Sequence, residues 1–122
     1  MPSLNKTLLI GNLTAIPELK ETTGGKSVCS FSIAVNRPFV KEGSGAQDVD
    51  FINVVAWGKQ AEFVAAYFSK GDPIFVLGRI QVRSWIDSDE VKRYTTEVIA
   101  DEVSFVRPKP QNVPDTSNNE KN

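Results

Sequence analysis

The chain has 122 residues, 40% hydrophobic and 24% charged, with a net charge of −1, which suits one soluble domain with a core and is short for two. Histidine is absent and Cys29 stands alone, so the commonest general base, a His/Cys zinc site and an internal disulfide are all excluded. With no apolar run near the ~18 residues of a membrane span, no basic-then-apolar leader, no Gly-rich phosphate loop and no nucleophile elbow, the expectation is a cytoplasmic binding protein, without catalytic residues, metal, cofactor or membrane partner.

Residues 6–13 (KTLLIGNL) read as a short apolar strand. Pro17 and the Gly24-Gly25 pair then punctuate a loop or hairpin turn. Residues 28–35 alternate, with Cys29, Phe31, Ile33 and Val35 on one face and Ser30, Ser32 and Ala34 on the other. A polar, glycine-containing loop follows over residues 41–48. Residues 50–57 form the third strand, with Ile52, Val54 and Ala56 facing a core and Phe51, Asn53, Val55 and Trp57 facing away.

The spacing of Ala61, Val64, Ala65 and Phe68 predicts a short helix over residues 59–70, with Gly71 as its stop. Residues 73–85 predict a long strand, with Ile74, Val76, Ile80 and Val82 on one side and Arg79, Gln81, Arg83 and Trp85 on the other. Residues 87–90 turn the chain, and residues 92–105 return as the last strand. From residue 107 the sequence holds Pro108, Pro110 and Pro114 and hardly an apolar side chain. A domain over 1–106 and a disordered tail over 107–122 are expected, because such a segment cannot bury enough surface to offset its ordering entropy.

Three strands, one short helix and two long strands make an all-β order. A five-stranded OB-fold barrel with its helix between strands 3 and 4 is the architecture with that order, and it serves oligonucleotides and oligosaccharides. The faces turned away from the core carry aromatics where Thr, Ser, Lys and Glu are usual. Phe51 and Trp57 stand on the third strand, Trp85 stands beside Arg79 and Arg83 on the fourth, and Phe39 precedes the polar loop. Every base has a π-face, so an aromatic platform with arginine beside it holds unpaired bases without reading their order. Two other uses of the same residues stay open: RNA or an oligosaccharide on the barrel, and burial of Phe51, Trp57 and Trp85 between subunits. A net charge of −1 fits nucleic acid if the acids collect on the outer surface and at residues 87–90, leaving the aromatic face positive.

Leu4-Asn5-Lys6 with Ile10-Gly11-Asn12-Leu13, and Pro17-Glu18-Leu19, resemble the opening of bacterial single-stranded DNA-binding proteins. The run from Val54 through Trp57-Gly58-Lys59 to Glu62 resembles that family's helix entry, and Tyr67-Phe68-Ser69-Lys70-Gly71 its helix exit. The runs from Gly78 to Trp85 and from Arg93 to Val98 resemble its last hairpin. The resemblance extends over residues 4–106. It implies one OB-fold per chain, a homotetramer, and sequence-nonspecific binding and protection of single-stranded DNA in replication, recombination or repair. The family's stacking aromatics fall on Phe39, Phe51, Trp57 and Trp85, with phenylalanine at 39 and 51 where tryptophan is common and tryptophan at 57 where phenylalanine is common. Lys6, Lys59, Lys70 and Arg83 fit its phosphate contacts, and Arg79 joins them by its face. The end of the chain, Asn118-Asn119-Glu120-Lys121-Asn122, lacks the acidic cluster and hydrophobic tip through which family members recruit replication and repair partners, so that recruitment is not expected.

Overall fold

The structure is a computed structural model and describes residues 1–38 and 48–106. Phe39 and the expected tail over 107–122 lie outside the described residues. Six strands and one helix follow in the order β1 (Thr7–Leu13), β2 (Glu18–Glu21), β3 (Ser27–Asn36), β4 (Val49–Trp57), α1 (Gly58–Tyr67), β5 (Pro73–Ile86) and β6 (Lys92–Phe105). No helix of the described residues is long and apolar enough to cross a membrane.

Five strands close a ring in the order β1-β5-β6-β4-β3, shut by the short β1–β3 pairing of Asn12 with Ala34 and Leu13 with Ile33. All its seams are antiparallel except β4–β6, where Val54 lies beside Val98 and Val55 beside Ile99 in parallel. This is the OB-fold barrel that the order of elements predicts. The alternation read in the sequence is what fills it. Cys29, Phe31 and Ile33 from β3, Val54 and Ala56 from β4, and Ile74 and Val76 from β5 are buried in one cluster. The helix adds Ala61 and Val64 to that cluster, and Phe68 follows just beyond it.

Two elements differ from the sequence reading. The loop expected around Pro17 contains β2, paired with β3 from Glu18–Ser30 to Glu21–Ser27. Its four residues, ELKE, are all exposed, so no hydrophobic alternation marks it. What makes it a strand is the open edge of β3 and the turn in which Gly25 donates to the Thr22 carbonyl. The helix also stops earlier than expected, at Tyr67. Phe68 is already extended and turns its ring into the core, while its N–H still donates to the Val64 carbonyl. Gly71, with φ of +91°, serves the next turn instead: its N–H donates to the Leu13 carbonyl, and Asn12 Nδ2 donates to the Gly71 carbonyl.

The β5–β6 hairpin slips register at Leu77 and Gly78. A Cβ on Gly78 would meet the Ile99 carbonyl oxygen at 2.2 Å, so glycine there is required by close backbone approach. Beyond the slip all residues of β5 from Arg79 to Ile86 are exposed, while Glu97, Val98 and Ile99 opposite its first part are still buried.

Candidate nucleic-acid interface

Cross-strand partners in a sheet point to the same side, which lets register assemble the outer face of the barrel. On β3 and β4, Ala34 faces Phe51, Ser32 faces Asn53, Ser30 faces Val55 and Val28 faces Trp57. Val55 lies beside Ile99 of β6. On the hairpin, Arg79 faces Ile99, Gln81 faces Glu97, Arg83 faces Thr95 and Trp85 faces Arg93. Phe51, Trp57 and Trp85, singled out in the sequence, therefore share one continuous surface of β3, β4, β6 and β5.

The three rings are open to solvent, at 65% for Phe51, 43% for Trp57 and 45% for Trp85. Their cross-strand neighbours on β3 are small, Ala34 beside Phe51 and Val28 beside Trp57, so no bulky side chain covers the rings from that strand. Trp85 is also oriented: its indole Nε1–H donates to Thr95 Oγ1 at 3.2 Å, which restricts rotation of the ring. Between the aromatics lies an open groove of about 420 Å³ lined by Ser30, Ser32, Asn53, Arg83, Thr95 and Glu97. Its walls offer both donors and acceptors, as a polar base edge requires.

A second hollow, of about 530 Å³, opens beside Trp57 between Lys26 and Lys59. An indole with two ammonium groups at one hollow can hold a base and its phosphate together. Lys26 went unnoticed in the sequence, where it reads only as the residue after a glycine turn. The signal that identifies it is the pairing of Val28 with Trp57, which carries the start of β3 to the end of β4.

The remaining basic residues are placed unevenly. Lys6, Lys59 and Lys70 are exposed, and Lys59 lines the hollow beside Trp57. Asn5 ties the segment before β1 to the hairpin, because its Oδ1 accepts from the Ile80 N–H at 2.8 Å and its Nδ2 donates to the Ile80 carbonyl at 2.7 Å. Lys6, next in the chain, is held near β5 by that clamp. Lys70 stands in the turn from α1 to β5, at the opposite end of β5 from Trp85.

Arg79 and Arg83 lie on the aromatic face, yet each meets a carboxylate of β6. Arg79 Nη1 is 3.3 Å from Asp101 Oδ1, and Arg83 Nε is 3.4 Å from Glu97 Oε2. The acids are therefore not confined to the outer surface and the hairpin turn. Register puts Glu97 opposite Gln81, and so on the aromatic face. The turn acid Asp87 braces the hairpin end. Its carboxylate accepts from the N–H groups of Val91 and Asp89 and from Arg93, which holds its carboxyl below the ordinary value. Asp50, at the rim beside Phe51, is likewise lowered by the two hydrogen bonds that it accepts from Arg37. Cys29 is away from all of this, and burial in the core pushes its thiol up.

With this geometry the chain falls in the class of small oligonucleotide-binding barrels. The family model described as the single-strand binding protein family matches residues 4–106. The Single-stranded DNA-binding protein 3 of Clostridium acetobutylicum is 54% identical over 104 residues, covering 84% of this chain and 71% of the relative. The Single-stranded DNA-binding protein of Clostridium tetani is 53% identical over 104 residues, covering 84% of this chain and 70% of its own. The Single-stranded DNA-binding protein 2 of Listeria monocytogenes is 43% identical over 120 residues, covering 98% of this chain and 74% of its own. The chain belongs to the single-strand binding protein family.

Proposed function

We propose that this protein binds and protects single-stranded DNA without sequence specificity, in replication, recombination or repair, and catalyses nothing. The observation that carries the reading is one barrel face with three solvent-open aromatics, Phe51, Trp57 and Trp85, around an open polar groove. Bases stack on these rings and, following the family pattern, on Phe39. Lys6, Lys59, Lys70, Arg79 and Arg83, together with Lys26, neutralise phosphates. The release of counterions makes binding weaken with salt, with a slope of about −0.7 per phosphate contacted. Duplex DNA competes poorly, because its bases are already stacked and paired.

The chain works as a homotetramer on this reading. Support comes from Leu8 and Ile10, exposed on the outer side of β1, whose edge opposite β5 is paired, among the described residues, only at Asn12 and Leu13. Residues 1–106 form the DNA-binding domain.

A tryptophan fluorescence titration with oligo-dT at two salt concentrations tests the binding. Saturable quenching that weakens with salt is expected, and each of Trp57→Phe and Trp85→Phe should remove part of it. A folded protein whose emission does not respond would send the aromatics to a protein interface instead. Sedimentation equilibrium checks the assembly, and a monomer at micromolar concentration would refute it.

A further inference from the structure

All the arginines among the described residues are ion-paired: Arg37 with Asp50 at 2.9 Å, Arg79 with Asp101 at 3.3 Å, Arg83 with Glu97 at 3.4 Å and Arg93 with Asp87 at 2.8 Å. No lysine among the described residues enters such a pair. The difference divides the positive charge into two kinds. The exposed lysines present a net charge to an approaching phosphate. Arg79 and Arg83 present a guanidinium that already has a carboxylate of β6 beside it to offset part of its charge.

Glu97 is the more telling of the two acids. At 8% exposure it is the one charged residue buried among the described residues, and it lines the central groove. Arg83 Nε lies 3.4 Å from its carboxylate there, an ion pair without a hydrogen bond, and no described side chain or backbone group donates to that carboxylate. A carboxylate has no donor of its own, and a buried one is costly unless paired, so Glu97 favours keeping Arg83 as its counter-charge. A DNA phosphate entering the groove must take that guanidinium from Glu97 or share it, next to a fixed negative charge. Asp101 does the same to Arg79 at a more exposed site, where screening weakens it.

We propose that Glu97 and Asp101 are built-in competitors of the DNA phosphates for Arg83 and Arg79. On this account, which rests on the single-stranded DNA reading above, the two acids hold down the electrostatic part of affinity. The strand is then retained mainly by stacking and by the lysines, and it can shift along the face without breaking strong charge pairs. Glu97 and Asp101 act through the arginines and need not touch the DNA.

The test is the salt dependence of oligo-dT affinity for the full chain and for Glu97→Gln and Asp101→Asn. Each substitution should free one arginine and steepen the slope of log affinity against log salt by about 0.7, equivalent to about fivefold tighter binding at 0.1 M when referred to 1 M. Adding Arg83→Gln to Glu97→Gln, or Arg79→Gln to Asp101→Asn, should remove that gain and bring the slope back to that of the unaltered protein or below it. Asp101 is half-exposed, so its variant remains decisive even where Glu97→Gln lowers the folded fraction. Slopes that stay the same or become shallower in both folded acid variants would overturn the inference while leaving the DNA reading intact. An unaltered protein that fails to bind oligo-dT at any salt concentration would overturn both.

Discussion

Replacing Trp85 by alanine separates a stacking platform from a structural aromatic. A tryptophan side chain has roughly 250 Å² to bury, and Trp85 is 45% exposed, leaving about 110 Å² for a ligand. A base that covers half to all of this removes about 55–110 Å² from water, worth about 1.4–2.8 kcal/mol at ~25 cal/mol per Å². That agrees with the roughly 1–3 kcal/mol per base measured for proteins of this kind by alanine substitution. Trp85→Ala should therefore weaken oligo-dT binding about 10- to 100-fold at fixed salt. The fold should hardly notice, because the ring lies on the extended part of the hairpin and gives up one exposed hydrogen bond, to Thr95. Fluorescence anisotropy with a labelled oligonucleotide reads the affinity, and thermal unfolding by circular dichroism reads the fold. An affinity within about threefold of the unaltered protein, with unfolding unchanged, would refute the assignment of Trp85 to stacking. A large fall in melting temperature would refute the claim that its role is not structural.

Gly78→Ala should act in the opposite way. The new Cβ would lie 2.2 Å from the Ile99 carbonyl oxygen, which is backbone and cannot swing aside, so a loss of about 1–3 kcal/mol or more is expected. In a domain of this size that lowers Tm by roughly 5–20 °C, whereas Gly24→Ala, whose nearest neighbour is at 3.9 Å, should leave it nearly unchanged; equal melting of both would refute the clash. Asp87 titrates below its ordinary value in the folded state because of the Val91 N–H and Arg93, so its contribution is present above pH 3.8 and is lost as pH falls through the lowered value. Protection of the Val91 and Asp89 amides against exchange, relative to the intrinsic rate at each pH, should fall over that acid range, and Asp87→Asn should abolish that fall. Burial raises the Cys29 thiol, so a thiol reagent at about pH 8 should modify the native protein slowly and the urea-unfolded chain fast; fast native labelling would contradict its place in the core.

Much of the site was legible because a strand repeats every two residues. Once residues 50–57 are a strand with Val54 and Ala56 in the core, Phe51 and Trp57 must point away from it. The same reasoning placed Trp85 with Arg79 and Arg83. The helix end was not legible, since Phe68 fits the helical spacing and reaches the core equally well from an extended residue beyond Tyr67. Nor was β2, because a strand held by an edge partner needs no apolar face of its own. Lys26 and Glu97 were missed for one reason. A single charged residue has no period, and its surroundings depend on which strand lies beside it.

By itself the sequence determined the class of fold, the face of each long strand and the choice of aromatics over catalytic groups, all of which follow from local alternation and residue chemistry. The tertiary structure decided what stands next to what. The β3–β4 register brought Lys26 to Trp57, the β4–β6 seam joined two aromatic strands into one surface, and the β5–β6 register set Glu97 and Asp101 against the arginines. Register between strands is settled by closing a whole barrel around its core, and no stretch of chain contains that information alone.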